Sequence, residues 1–134
     1  MTSIQHALQK ALLIVLQATA AKTATGNGTA VDCVDYEGSA AVVLDSAAAG
    51  AGTNPTLDVT LEESDDNSTF TAVPATAFSG GANFTQVTNA ASQQLIYMTM
   101  SDRKRYIRSK HTIGGTNSPS FTFSCHIVSQ KKYQ

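Results

Sequence analysis

Apolar and polar residues alternate strictly over residues 57–62, which is the period of a half-buried β-strand. The run 64–68 that follows is rich in Ser, Asp and Asn, whose side chains hydrogen-bond their own backbone and tolerate left-handed conformations. Apolar residues return at Phe70 and Val73, so the segment 57–73 predicts a β-hairpin. The residues expected to line its buried face are Leu57, Val59 and Leu61.

Short apolar or alternating runs recur about every ten residues along the rest of the chain. They predict further strands at residues 13–23, 29–33, 40–44, 84–88, 95–100, 105–110 and 120–128. Segments rich in Gly, Asn and Pro predict the connections, at residues 26–28, 36–38, 47–55, 75–83 and 114–119. The run 40–44 has no polar member, as expected of a strand buried on both faces. Roughly eight antiparallel strands at this spacing predict an all-β fold, a β-sandwich or jelly roll.

The first residues of the chain allow two interpretations. Ile4, Leu8 and Leu12 recur at the spacing of one helical face, whereas the apolar run that follows also fits an extended chain. We expect an N-terminal arm or short helix over residues 1–16, followed by a single β-sandwich domain over residues 17–134.

The same N-terminal stretch imitates a secretory signal, because Lys10 precedes an apolar run and the small residues Ala18 and Ala20 follow it. Gln17 interrupts the run too early for a membrane span. We therefore expect the segment to be retained and the protein to be made in the cytoplasm.

Charge is sparse in this chain. Charged residues make up 14% of its 134 positions, well below the roughly 25% of an ordinary globular protein. Ala, Ser, Thr, Gly and Asn take their place, and such a weakly hydrated surface suits packing against other protein copies. The formal net charge of -1 supplies no field that would hold the chain on nucleic acid or an anionic membrane. We expect neither partner.

Cys33 and Cys125 both lie in apolar, strand-like surroundings. A chain of this length buries a substantial core without a covalent staple. Two free buried thiols are therefore predicted, and a disulfide between the first and last strands is the alternative.

Candidate chemistry is thin. The motifs that mark hydrolases, zinc proteases and phosphate-binding loops are absent from the sequence. Cys125 and His126 are adjacent, so on a strand they point to opposite faces and cannot share a metal. A site built from Cys33, His111 and His126 has no spacing motif, and the acidic run 62–66 lacks the ligand pattern of a calcium loop. We predict no catalytic residue, no metal and no cofactor, and therefore a protein that is not an enzyme.

The most basic segment, residues 103–110, interleaves cations with Tyr106, as nucleic-acid-binding surfaces do. Strand alternation divides these cations between two faces, so each patch is halved. Cross-strand pairing with acidic residues, or ion pairs with a partner protein, is favoured over nucleic-acid binding. The candidate protein-interface residues are Arg103, Arg105 and Arg108, together with Ile4, Leu8 and Leu12 of the arm.

Several of these segments resemble small structural proteins of tailed-bacteriophage virions. The resemblance rests on residues 26–32 (GNGTAVD), 36–38 (YEG), 57–70 and 104–108 (KRYIR), and it extends over residues 26–128. Within that group the size and the lack of an appended domain are most similar to jelly-roll cement or decoration proteins. The resemblance implies a homo-oligomer, a dimer or trimer, that binds the major capsid protein on the exterior of the virion.

Two alternatives stay open, a tail or neck component and a host- or carbohydrate-binding β-sandwich. The chain has no Trp, which weakens the second, because sugar rings usually stack on exposed aromatic faces.

Overall fold

The computed structural model describes residues 11–81 and 83–132. The described residues form eight β-strands and two single turns of 3-10 helix. The strands are β1 (Ala11–Lys22), β2 (Gly26–Asn27), β3 (Val31–Asp32), β4 (Tyr36–Ser46), β5 (Ala51–Ser64), β6 (Thr71–Ala72), β7 (Ser92–Thr99) and β8 (Tyr106–Lys131). The 3-10 turns, Ala75–Ala77 and Ser79–Gly81, lie between β6 and β7.

The strands form an antiparallel sheet that curls back on itself as a sandwich. One layer, sheet I, has the order β1, second half of β8, β4, β7. The other layer, sheet II, contains β6, β5 and the first half of β8, with β2 and β3 paired to the far side of β8. The predicted all-β antiparallel sandwich of about eight strands is confirmed.

The inner faces of the two sheets enclose one apolar core. Over residues 55–63 of β5 every second residue is buried, as the alternation predicts, and the residues between them remain at least partly exposed. The predicted hairpin is also present, since Glu62 pairs with Ala72 and Glu63 with Thr71. The largest fully buried side chains are Phe121, Phe123, Leu16, Leu44, Leu57, Leu61, Met98, Ile107, Ile127, Val42, Val59 and Val87.

β8 differs from the prediction. The pattern predicts a turn at residues 114–119, but β8 passes through this segment and belongs to both sheets. Gly115, Asn117 and Ser118 have φ angles of 111°, 60° and 53°. These positive φ values bend the strand without reversing it, because β5 remains paired with β8 on both sides of the bend.

β5 bends at the same place. The loop predicted at residues 47–55 ends earlier, because β5 begins at Ala51 and Thr53 pairs with Thr116. Gly52 and Asn54 supply the positive φ angles on this strand, 106° and 48°. We call residues 51–56 together with 114–120 the corner. It is the point at which the sheet folds from one layer into the other.

Backbone approaches backbone closely in the corner. A Cβ atom added to Gly115 would lie 2.8 Å from the carbonyl oxygen of Asn54 and 2.9 Å from that of Thr53. A Cβ atom on Gly52 would lie 2.6 Å from the Cα atom of Pro119. Both positions therefore require glycine, because there is no room for a Cβ atom and because the φ angles are positive.

The N-terminal boundary also differs from the prediction. Residues 1–10, which include Ile4 and Leu8, lie outside the described residues. Residues 11–16 form the first half of β1 and pair with β8, and Ile14 and Leu16 are buried in the core. The prediction assigned these six residues to the arm, but they are part of the sandwich because β1 pairs with β8.

Residues 84–88 do not form the predicted strand. Val87 makes an isolated bridge with Leu57, and β7 begins only at Ser92. The alternating pattern is present there, and Val87 exchanges two backbone hydrogen bonds with Leu57 of β5, at 2.8 and 2.9 Å, but the pairing does not continue beyond this single bridge.

Both cysteines are free and buried, as predicted. Burial raises the pKa of the Cys33 and Cys125 thiols to about 12, so both are protonated and unreactive at neutral pH.

Replacing Gly115 with alanine is expected to lower the free energy of unfolding by about 3 kcal/mol or more. The positive φ angle strains the backbone of an alanine, and the new Cβ atom clashes with the carbonyl oxygens of Thr53 and Asn54. Gly38→Ala is the matched control, since φ is 76° there but nothing lies within 4 Å of the added Cβ. It is expected to cost about 1–2 kcal/mol. Urea unfolding followed by circular dichroism measures both, and equal losses would show that the corner tolerates a side chain.

Candidate interaction surfaces

The acidic hairpin tip, residues 64–69, is held by hydrogen bonds within the turn. One carboxylate oxygen of Asp66, Oδ1, accepts hydrogen bonds from Ser64 Oγ at 2.8 Å and from the backbone N–H groups of Ser68 and Thr69 at 2.9 Å. These donors hold the pKa of Asp66 well below its usual range, at about 2. Asn67 takes the left-handed conformation at the turn, with φ of 58°. Asp66 therefore accepts its hydrogen bonds from within the turn itself.

Arg103 is buried against Glu63 of β5. Nη1 of Arg103 lies 3.4 Å from Oε2 of Glu63, and both side chains are about 7% exposed or less. The backbone N–H of Lys104 donates to the same oxygen at 3.3 Å. Nε and Nη1 of Arg103 are buried with no hydrogen-bond partner in the described part of the chain. Glu63 is thus the counter-charge on which this buried guanidinium depends.

Arg105 and Arg108 are also paired within the chain. Nη2 of Arg105 lies 2.7 Å from Oδ2 of Asp32 on β3, and this contact lowers the pKa of Asp32. Nη2 of Arg108 lies 2.8 Å from Oε1 of Glu62, its cross-strand neighbour on β5. The Arg108 guanidinium also lies 3.8 Å from the centre of the Phe70 ring.

The three predicted interface arginines therefore hold sheet II together through one carboxylate each. Of these pairs, Arg108 and Glu62 are direct cross-strand neighbours, whereas Arg103 and Arg105 lie just before β8 and reach their carboxylates from there. The part of the three arginines in an interface stays a prediction. Leu12, the predicted interface residue of the arm within the described residues, is 40% exposed on β1 opposite Ser129. Its inward-facing neighbours, Ile14 and Leu16, are buried, so Leu12 lies at the open end of the sandwich.

A more extensive apolar surface lies on the outer side of sheet I. Cross-strand pairing aligns outward residues of all four strands in two neighbouring rows. The first row contains Leu13, Val128, Ala41 and Tyr97, and the second contains Val15, His126, Val43 and Leu95. We call these eight residues the apolar face. Leu13 is 63% exposed, and Leu95 and Tyr97 are 53% exposed.

Polar residues border the apolar face at both ends. Asp45, Ser124 and Gln93 form the next outward row at one end, and Gln130, Ser39 and Thr99 lie at the other. A cleft of about 440 Å³ opens beside the first of these polar rows, lined by Thr19, Asp45, Ser46, Ala47, Ala91, Ser92, Gln93, Thr122 and Ser124. An apolar centre with a polar rim is the anatomy of a protein–protein interface.

None of the eight apolar-face residues was among the residues that the sequence predicted for an interface. A signal for them exists in the sequence. The runs 11–16, 40–44 and 95–98 lack alternation, and the first two contain no polar residue. Such runs predict strands that are covered on both faces.

The structure does not bring Cys33, His111 and His126 together. His111 points into the core and stacks edge-on against Phe123, whereas His126 lies on the opposite, outer side of sheet I. Among residues 11–81 and 83–132 there is no group of three His, Cys, Asp or Glu side chains arranged to hold a metal ion. Within the same ranges, no helix is long and apolar enough to cross a membrane.

These features define a class: an antiparallel β-sandwich with one polar and one apolar outer face. The Bbp16 family matches residues 21–127, and the chain belongs to that family. No curated protein sequence matches the chain.

Three solved structures are similar in part. The SPBc2 prophage-derived protein YomS has 11% identity to this chain and a TM-score of 0.49, and the match covers 89% of this chain and 93% of YomS. A family two carbohydrate esterase from Cellvibrio japonicus has 13% identity and a TM-score of 0.35, and the match covers 90% of this chain but 34% of the esterase. A putative sugar binding protein from Bacteroides thetaiotaomicron has 13% identity and a TM-score of 0.29, and the match covers 90% of this chain and 88% of that protein.

Glu63→Gln is expected to lower the free energy of unfolding by about 3 kcal/mol or more, because it leaves the Arg103 guanidinium buried without a counter-charge. Asp32→Asn breaks the exposed pair with Arg105 and is the control, expected to cost much less. Thermal or urea unfolding of the three proteins at low salt measures the difference. Similar losses for the two variants would contradict the role assigned to Glu63.

His111 makes stability depend on pH. Burial, with the nearby charge of Lys22, lowers its pKa below the usual 6.5, and its Nδ1 is buried with no hydrogen-bond partner among the described residues. The unfolded chain therefore binds a proton more tightly than the folded chain, so the contribution of His111 is complete above pH 6.5 and is lost as pH falls below it. The destabilisation caused by His111→Gln should accordingly be smaller at pH 5 than at pH 8 in urea titrations. An equal effect at both pH values would contradict this assignment.

Proposed function

We propose that the chain is a structural protein of a tailed-bacteriophage virion that binds the outer surface of the capsid shell and stabilises it, as cement or decoration proteins do. Its partners would be the major capsid protein and further copies of itself, arranged as a dimer or trimer. The proposal includes no catalytic step, no cofactor, and neither nucleic acid nor membrane as a partner.

The observation that supports this function best is the apolar face. A surface of eight outward residues without a formal charge, bordered by polar rows, suits a protein that works by binding other proteins. The family match at residues 21–127 also spans nearly the same part of the chain as the resemblance to virion proteins at 26–128.

Binding alone is sufficient for such a role. A protein that binds the assembled shell more tightly than the separated capsomers stabilises the shell by mass action. Many copies act together, so each contact can be weak. A rigid sandwich suits this, and the pairs Glu62–Arg108 and Glu63–Arg103 connect β5 to β8 and to the segment just before it.

The test is to mix the purified protein with mature and with unexpanded heads of its phage, pellet the heads, and image what co-sediments. Stoichiometric, symmetric density on mature heads, with less on unexpanded heads, is expected. Density on isolated tails or necks alone would replace the proposal with the tail-component alternative, and binding to neither would contradict a structural role on the virion.

The arm is tested in the same assay by a chain that lacks residues 1–10, which leaves β1 whole. If Ile4 and Leu8 contact the shell or a neighbouring copy, this variant should decorate fewer sites or elute at lower salt. Decoration equal to that of the full chain would remove the arm from the proposed contacts.

A further inference from the structure

The two layers of the sandwich differ in what they present to their surroundings. On the outer side of sheet II, β5 places Asp58, Thr60 and Glu62, and the paired half of β8 adds Arg108 and Lys110. On the outer side of sheet I, the corresponding central positions are occupied by the apolar face. Sheet II therefore has the alternation of a sheet with one solvated side, and sheet I has the pattern of a sheet covered on both sides.

The apolar residues of sheet I come from strands that are distant in sequence. β1, β4, β7 and β8 each supply two outward residues to the same two rows, so the surface is continuous across all four strands. Scattered exposed apolar residues need no explanation, but a continuous patch of this kind marks a contact surface.

The size of the surface fits a protein partner. Four strands at about 4.8 Å spacing, followed over the nine residues from Thr122 to Gln130, give an outer side of roughly 19 Å by 27 Å, about 500 Å², which is the apolar face together with the polar rows that border it. Two such faces together would bury about 1,000 Å², the lower limit for a specific interface. Such a contact is expected to have a dissociation constant on the order of micromolar.

A second copy of the chain is the occupant that this surface fits best. A twisted sheet packs well on another sheet of the same twist, and a second copy presents that twist. The two central rows carry no formal charge, so a symmetric pair would bring no like charges together across its centre.

We propose that two copies of this chain pair face to face through the outer side of sheet I, with Leu13, Val15, Leu95, Tyr97 and Val128 buried in the contact. The proposal deepens the proposed function by assigning the surface for self-association. The sheet II side and the loops are then left free for the shell. The sedimentation and labelling tests of this pairing contain no capsid, so they fail or succeed separately from shell binding.

Sedimentation velocity of the full chain between about 1 and 100 µM tests the pairing, a range chosen to span micromolar affinity. A concentration-dependent shift from monomer to twice the monomer mass is expected. Leu95→Glu should raise the dissociation constant at least about a hundred-fold, because it buries two like charges in the contact. Thr60→Glu is the matched control, since it adds the same charge at an exposed position on sheet II and should leave the dimer unchanged.

A second measurement locates the contact without adding a charge to it. In a Tyr97→Cys variant the new thiol is exposed, whereas Cys33 and Cys125 are buried, so labelling by a maleimide reports on position 97 alone. The labelling rate should fall as the protein concentration rises. In a Thr60→Cys variant it should stay constant.

Any one of four results would overturn the proposal. A monomer at every concentration would exclude self-pairing, and decoration of heads that is then lost in Leu95→Glu would assign the face to the shell. A dimer that survives Leu95→Glu, or labelling of Tyr97→Cys that does not change with concentration, would place self-association elsewhere, for example along the exposed edge of β1.

Discussion

The pairing of β5 with β8 through the corner is the constraint on which the rest of the structure depends. β8 is the one strand in the described chain that belongs to both layers, and β5 accompanies it through the bend. Gly52 and Gly115 make this possible, because their backbones approach Pro119 and Asn54 more closely than any side chain would allow. Every other strand of the sandwich except β6 and β7 pairs directly with β8, so the position of both outer faces follows from this bend.

Local sequence pattern predicted the elements whose two faces differ. The hairpin at 57–73 was predictable because β5 has the core on one side and polar surroundings on the other, and its alternation records that difference. The corner was not predictable in the same way. Gly, Asn and Ser at 114–119 indicate positive φ angles, but the same angles serve a reversing turn and a bulge. Which of the two forms is decided by pairing with β5, more than fifty residues away in sequence, and no local pattern contains that information.

The basic segment shows the same limit for the candidate site. The sequence predicted that Arg103, Arg105 and Arg108 would meet acidic partners or another protein, and it could not choose between them. Their partners within the chain are Glu63, Asp32 and Glu62, which are separated from them by 40 to 73 residues. The fold brings each carboxylate to one guanidinium, so the charges that looked available for a partner are used inside sheet II. An electrostatic interface elsewhere on the molecule would have to draw on other residues.

The run 40–44 was predicted to be buried on both faces, and in the single chain it is buried on one face and partly exposed on the other. The pattern and the isolated chain disagree in the same way in β1 and β7, and the exposed residues of all three strands meet in two rows. A local error of prediction would scatter such residues over the surface. Their concentration on one face of one sheet indicates instead that sheet I has the composition of a layer inside an assembly, while the alternation of β5 shows that sheet II has the composition of its exterior. The division of the sandwich into these two kinds of layer is therefore the strongest physical reason to place the function of this protein in its contacts with other chains.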